Sequence, residues 1–190
     1  MNKIVPIPSR FHIQDNGYEV EISFRWFTYI HLFYLLFAFG WNTFLVNWYA
    51  MAMSSGNIFM MVFPILHVLA GIYITYLAIS GLLNKTVIKA SPHEISIKVS
   101  PIALWGENKT FSTKDLRQLY VVEEKIRGKN GYSYSYVLKA VDFQQKSTKL
   151  LTVDNSEEAV FLENKLEEVC RISDEPVEGE WNASPISTRN

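Results

Sequence analysis

Hydrophobic positions are spread very unevenly along this chain. Residues 27 to 83 include no Asp, Glu, Lys or Arg, and most positions there are apolar or small. One membrane crossing needs about 20 apolar residues, so a run of this length accommodates two. The small, polar stretch Met51-Ala52-Met53-Ser54-Ser55-Gly56-Asn57 is the natural break, which predicts helix 1 at 27–49 and helix 2 at 58–83. After Leu83 the pattern changes to short alternating runs parted by turn residues, the signature of strands. These runs are 86–90, 94–99, 109–112, 118–127, 133–143 and 149–153, with Asn130-Gly131 as a hairpin turn and residues 112–116 as a helical turn. Asp154-Asn155-Ser156-Glu157-Glu158 then predicts a helix start, and the helix continues to about residue 172. Its apolar face carries Val160, Phe161, Leu162, Leu166, Val169 and Cys170.

Ahead of helix 1, Phe11-His12-Ile13 and the alternating residues 18–24 flank the turn Asp15-Asn16-Gly17 and predict a small hairpin. Such a hairpin is marginal in water by itself, so it should pack on the strands or at the membrane face. The chain therefore divides into an arm (1–25), a two-helix transmembrane hairpin (26–83), a domain (84–172) and an acidic, flexible tail (173–190). Six antiparallel strands followed by one amphipathic helix predict a small antiparallel β-barrel with a capping helix, an α+β unit of pleckstrin-homology-like layout.

Composition sharpens the membrane reading. Across 190 residues there are 18 Lys+Arg and 19 Asp+Glu, and charged residues make up 19%, below the roughly 25% of soluble domains. The near-zero mean hydropathy of +0.04 averages a very apolar third with a polar remainder. The polar first residues do not have the form of a cleaved signal peptide, so the helices are expected to stay in the mature protein. Lys3, Arg10 and Arg25 precede helix 1, Lys85 and Lys89 follow helix 2, and the connection has no cation. This asymmetry places both termini in the cytoplasm. Trp26 and Tyr29 at the inner edge, with Trp48 and Tyr49 at the outer edge, suit anchoring at headgroup depth. Near-neutral charge argues against nucleic acid as a partner, and a lone cysteine, Cys170, excludes an internal disulfide framework.

Polar residues inside the spans, His31, Asn42, Asn47 and His67, are the first candidates for function. Counted from the outer turn, Asn42 and His67 share a depth, so a hydrogen bond between them is geometrically open. It would fasten the helices or, in an oligomer, line an ion or proton path. His31 lies near the inner end and reads as an edge residue, and Pro64 invites a kink. Gly71, Thr75 and Ala78 offer a small face for close packing.

In the domain, Lys125, Arg127 and Lys129 alternate on a strand and project from one face at a hairpin tip, where they would meet an anionic leaflet or protect the edge. Tyr132, Tyr134 and Tyr136 alternate beside them as core or contact surface, and Trp105 and Trp181 suit membrane or barrel contacts. No catalytic triad is legible, and His12, His31, His67 and His93 fall in no recognised motif. Arg127-Gly128-Lys129-Asn130-Gly131 lacks the GxxxxGK spacing of a phosphate loop, and no His completes a metal site with the paired acids. No enzyme activity, cofactor or metal is expected.

Arg25-Trp26, Trp41-Asn42, His67 with Gly71, Leu83-Asn84-Lys85-Thr86, Gln118-Leu119-Tyr120-Val121 and Val177-Glu178-Gly179-Glu180 follow one another in an order that resembles a group of small bacterial two-span membrane proteins. Those proteins carry a pleckstrin-homology-like domain of unassigned function. The resemblance implies that fold, a place in the bacterial inner membrane and recurrence of Asn42 and His67, and it supplies no reaction or ligand. The expectation is a non-enzymatic membrane protein that anchors a cytoplasmic binding or scaffold domain, whose partners are the bilayer and an unknown protein or a second copy. The alternative is a subunit of an oligomeric channel or transporter working through the hairpin.

Overall fold

The computed structural model describes residues 6–102, 108–128, 131–173 and 181. They form an α+β molecule of two compact units. In described residues, one unit is Arg25–Thr86 with 99–102, and the other holds 6–24, Val87–Lys98 and the chain from 108 onward.

The first of these is the helical hairpin. Helix α1 (Tyr29–Ser55) packs against α3 (Ile65–Leu83), and a short α2 (Ile58–Val62) precedes α3. Two stretches, Tyr29–Ser55 and Ile58–Leu83, are long and apolar enough to cross a membrane, with mean hydropathy 1.4 and 2.1. In the most apolar 18 residues of each stretch only 11% are buried, so neither is the core helix of a globule. Helix α1 runs past the expected end at Tyr49 because Ala50, Met51, Ala52 and Met53 are good helix formers. It stops at Gly56, whose φ of 63° is left-handed and whose N–H returns to the Met53 carbonyl. Asn57 then starts α2, its side chain accepting from the N–H groups of Phe59 and Met60.

Ala38, Leu45 and Ala52 of α1 are buried at heptad spacing, as are Gly71 and Ala78 of α3 with Pro64 just ahead of it, and Gly71 lies against Leu45. At its base the Trp26 N–H donates to the Asn84 carbonyl at 3.0 Å, and the Trp26 indole N–H to the Thr86 hydroxyl at 2.8 Å. The Asn84 amide, buried, clasps the backbone of Ile102 from both sides, donating to its carbonyl at 2.6 Å and accepting from its N–H at 2.9 Å.

In the second unit, β1 (His12–Asp15) and β2 (Val20–Arg25) form the hairpin expected of the arm, with Asp15 opposite Val20 and Gly17 at φ 78° in the turn. They continue one five-stranded sheet with β3 (Lys85–Ala90), β4 (Glu94–Ser100) and β5 (Lys109–Ser112), in the order β1-β2-β3-β4-β5. A separate sheet holds β6 (Leu116–Gly128), β7 (Gly131–Asp142) and β8 (Ser147–Val153). Helix α4 (Ser156–Cys170) packs against this second sheet. Phe11, Ile22, Ile88, Ile95, Leu119, Leu138 and Leu162 belong to one buried core drawn from both sheets, α4 and the arm. The arm is thus part of the core.

The barrel expected from the strand count does not close. β5 and β6 are consecutive yet lie in different sheets. The turn Thr113–Asp115 separates them, held where the buried Thr113 hydroxyl donates to the Pro92 carbonyl at 2.7 Å and its N–H to that of His93 at 3.0 Å. Among the described residues two contacts cover the edge of β6: the Val121 N–H donates to the Glu163 carboxylate at 3.1 Å, and its carbonyl accepts from the Trp181 N–H at 2.8 Å. Trp181, within the stretch expected to be a flexible tail, also sits edge-on to Tyr136 at 5.3 Å. Residues 174–180 and 182–190 of that tail, Trp105 and Asn130 lie outside the described residues.

Candidate functional site

Asn42 and His67 do not form the expected pair. The Asn42 amide donates to the Ala38 carbonyl one turn back at 2.7 Å and across the seam to the Thr75 hydroxyl at 2.9 Å, and Thr75 in turn donates to the Gly71 carbonyl at 2.7 Å. Gly71 makes this approach feasible, since a Cβ there would stand 3.0 Å from Asn42 Oδ1 and 3.1 Å from the Trp41 ring. The expected depth match rests on helix 1 ending at residue 49. With α1 ending at Ser55, the position level with Asn42 slides along α3 from His67 to Gly71 and Thr75.

His67 is exposed on the outer surface of the hairpin, where its ring stacks on Trp41 at 5.9 Å and lies against Phe63 at 5.8 Å. The Trp41 indole N–H donates to the His67 carbonyl at 3.1 Å, so the contact from α1 reaches this residue's backbone. Asn47 bonds back to the Thr43 carbonyl at 2.8 Å. His31 takes part in the start of α1: its Nδ1 accepts from the Thr28 N–H at 3.1 Å, and a Cβ on Gly81 would collide with its ring.

The second candidate lies on the β6–β7 pair. Lys125 and Arg127 are exposed on one face, opposite Tyr134 and Tyr132 respectively. Lys129 lies outside the described residues. The Lys125 ammonium sits 3.8 Å from the centre of the Tyr132 ring and 5.8 Å from that of Tyr134. β8 pairs with β7 only from Tyr136 onward, so the tip beyond is a two-stranded ribbon. Nearer the sheet the acids are engaged: Glu124 is 3.6 Å from the Lys139 ammonium, and Glu123 accepts from the Tyr136 hydroxyl at 3.0 Å. Tyr132 and Tyr134 are exposed, whereas Tyr136 packs on the core.

Other reactive groups are built into the fold. Burial pushes the Cys170 thiol up to about 11, leaving it protonated and a poor nucleophile at neutral pH. Burial also raises the Glu158 carboxyl above its ordinary range, more than Arg10, 3.5 Å away, lowers it. A groove beside the end of α4, bordered by Lys114, Arg117, Phe143 and Arg171, has no His or carboxylate in its lining. Among the described residues no cluster of His, Cys, Asp and Glu could hold a metal.

Reading the sequence missed three of these features. The Asn84 clasp has no sequence signal, because its partner Ile102 is distant and apolar. The exposed ribbon was legible as alternation but not as a protrusion, which depends on where β8 ends. The role of Trp48 was legible in principle, since Pro64 leaves the Met60 carbonyl without its helical donor and the Trp48 indole N–H supplies one at 3.0 Å. No family model matches the chain, and no curated protein is similar to it.

Proposed function

We propose that this chain is a non-enzymatic integral membrane protein whose helical hairpin anchors a binding or scaffold domain at the cytoplasmic face of a bacterial inner membrane. The observation that carries this reading is connectivity. The whole hairpin is inserted between β2 and β3, which are neighbours in one sheet. A chain that leaves from one strand and returns to the next, after two crossings, has both ends on one side. Arg25 before α1 and Lys85 and Lys89 after α3, against no cation in the connection, make that side the cytoplasm. β2 to β5 as four strands, β6 to β8 as three and a C-terminal helix support the pleckstrin-homology-like layout, with β1 as an addition. The order of motifs that resembles small bacterial two-span proteins supports the same placement.

The partners are the bilayer itself and a protein or a second copy held by the domain. The Asn42 amide, spent on Ala38 and Thr75 inside the hairpin, favours an anchor over a channel or transporter subunit, in which it would face a path. Excision tests the reading. Residues 27–83 are replaced by Asn-Gly, a turn suited to joining neighbouring strands. The full chain is expected to stay with membranes through an alkaline carbonate wash, and the excised chain to be released at lysis with strand-rich circular dichroism. Release of the full chain by carbonate would overturn the proposal. Ion flux through reconstituted protein that disappears in His67→Leu with assembly intact would transfer the function to the hairpin.

A further inference from the structure

We infer that the exposed part of the β6–β7 ribbon carrying Lys125, Ile126, Arg127, Tyr132 and Tyr134 docks on an anionic lipid surface, an inference that rests on the membrane-anchored reading above. A two-stranded ribbon gains little stability by itself in water. This one nonetheless carries its large apolar groups at the exposed end: Ile126 is 54% accessible, Tyr132 57% and Tyr134 46%. The register sorts the two faces. Lys125 and Arg127 lie opposite Tyr134 and Tyr132 on one face, and Ile126 lies opposite Ser133 on the other.

Charge is sorted along the ribbon as well. Its carboxylates, Glu123 and Glu124, stand toward the sheet and are engaged by Tyr136 and Lys139, whereas both cations stand toward the tip. Amphipathic tyrosine rings, an exposed isoleucine and cations that form no ion pair with these acids are the chemistry of a headgroup layer: rings and alkyl groups enter at the boundary and cations meet phosphate. Nucleic acid is also bound by aromatic and basic pairs. Lipid is favoured because the chain carries two spans of its own, which keep a bilayer at high effective concentration for the tip.

The test uses the full chain in nanodiscs, either purely zwitterionic or containing phosphatidylglycerol. Ser133→Cys, exposed beside the tip, takes an environment-sensitive fluorophore, and the buried Cys170 does not compete. Expected is a blue-shifted emission in anionic nanodiscs that fades as salt rises. The ratio of docked to undocked tip should fall about fivefold for each of Lys125→Gln and Arg127→Gln. Tyr132→Ser with Tyr134→Ser should remove the shift while the cations remain. The salt series on the labelled parent changes none of the ribbon's cations or tyrosines and stands if a further variant misfolds. Equal emission in both nanodiscs overturns the inference, as does a shift that ignores salt and charge or appears only when protein extract is added. Co-elution with the nanodisc separates the two readings: an incorporated chain with an unshifted tip defeats the docking tip alone, and a chain that never incorporates defeats both.

Discussion

Proline at position 64 removes one N–H from the second span, and the carbonyl it orphans, that of Met60, receives the Trp48 indole N–H at 3.0 Å. The two residues therefore act as a pair, although either reads by itself as a routine membrane feature, a kink or a headgroup anchor. Trp48→Phe is expected to destabilise the hairpin by about 1 kcal/mol, and the cost should vanish in a Pro64→Ala background, where the new N–H takes the carbonyl. A double-mutant cycle of unfolding in micelles measures this, and additive costs would contradict it. Glu158 makes a second prediction at this scale. Because burial holds its carboxyl above the ordinary value, its contribution to stability is full below the normal carboxylate range and is lost as pH rises through the raised value. Glu158→Gln, which imitates the protonated acid, should melt above the parent near pH 7, with the gap closing at about pH 4. Equal melting at both pH values, or a lower melting temperature for the variant near pH 7, would contradict that assignment.

The two long helical stretches were legible because no charge interrupts them, and the strands because their alternation is clear, as at Val20, Ile22 and Phe24 of β2. Helix ends and strand partners were not. Ala50 to Met53 extended α1 by propensity, and that extension alone moved the partner of Asn42 from His67 to Thr75. Likewise the barrel stays open at two seams among the described residues: β5 and β6 are parted by the turn in which the buried Thr113 is held, and β8 does not pair with β1. Alternation reports which face of a strand is buried, and it carries no information on which strand lies beside it. The seam yields an element-level prediction. Asn42→Leu should weaken packing of α1 on α3 by about 1 kcal/mol, whereas His67→Leu, which loses only an exposed ring stack on Trp41 and keeps the indole bond to the His67 carbonyl, should cost less. Thermal unfolding of the two variants in the same detergent compares them directly, and the reverse order would refute the observed fastening.

At the scale of the molecule, the arm is separated from the domain by the entire hairpin in sequence, yet Phe11, Val20, Ile22 and Phe24 share a core with β3, β4, β6 and α4. Local periodicity could predict the arm's hairpin but not that β2 lies next to β3, because that pairing joins residues on either side of the apolar block. The same pairing makes the two candidate membrane-spanning helices an insertion between neighbouring strands of one sheet. Cysteine accessibility in intact cells tests this most directly, with Asn16→Cys and Gln144→Cys in the domain and Asn57→Cys at the hairpin turn, all exposed positions. An impermeant maleimide is expected to label Asn57→Cys from outside, and the other two only after the membrane is opened. Labelling of Asn16→Cys and Gln144→Cys from opposite sides, or of all three from the same side, would contradict the account.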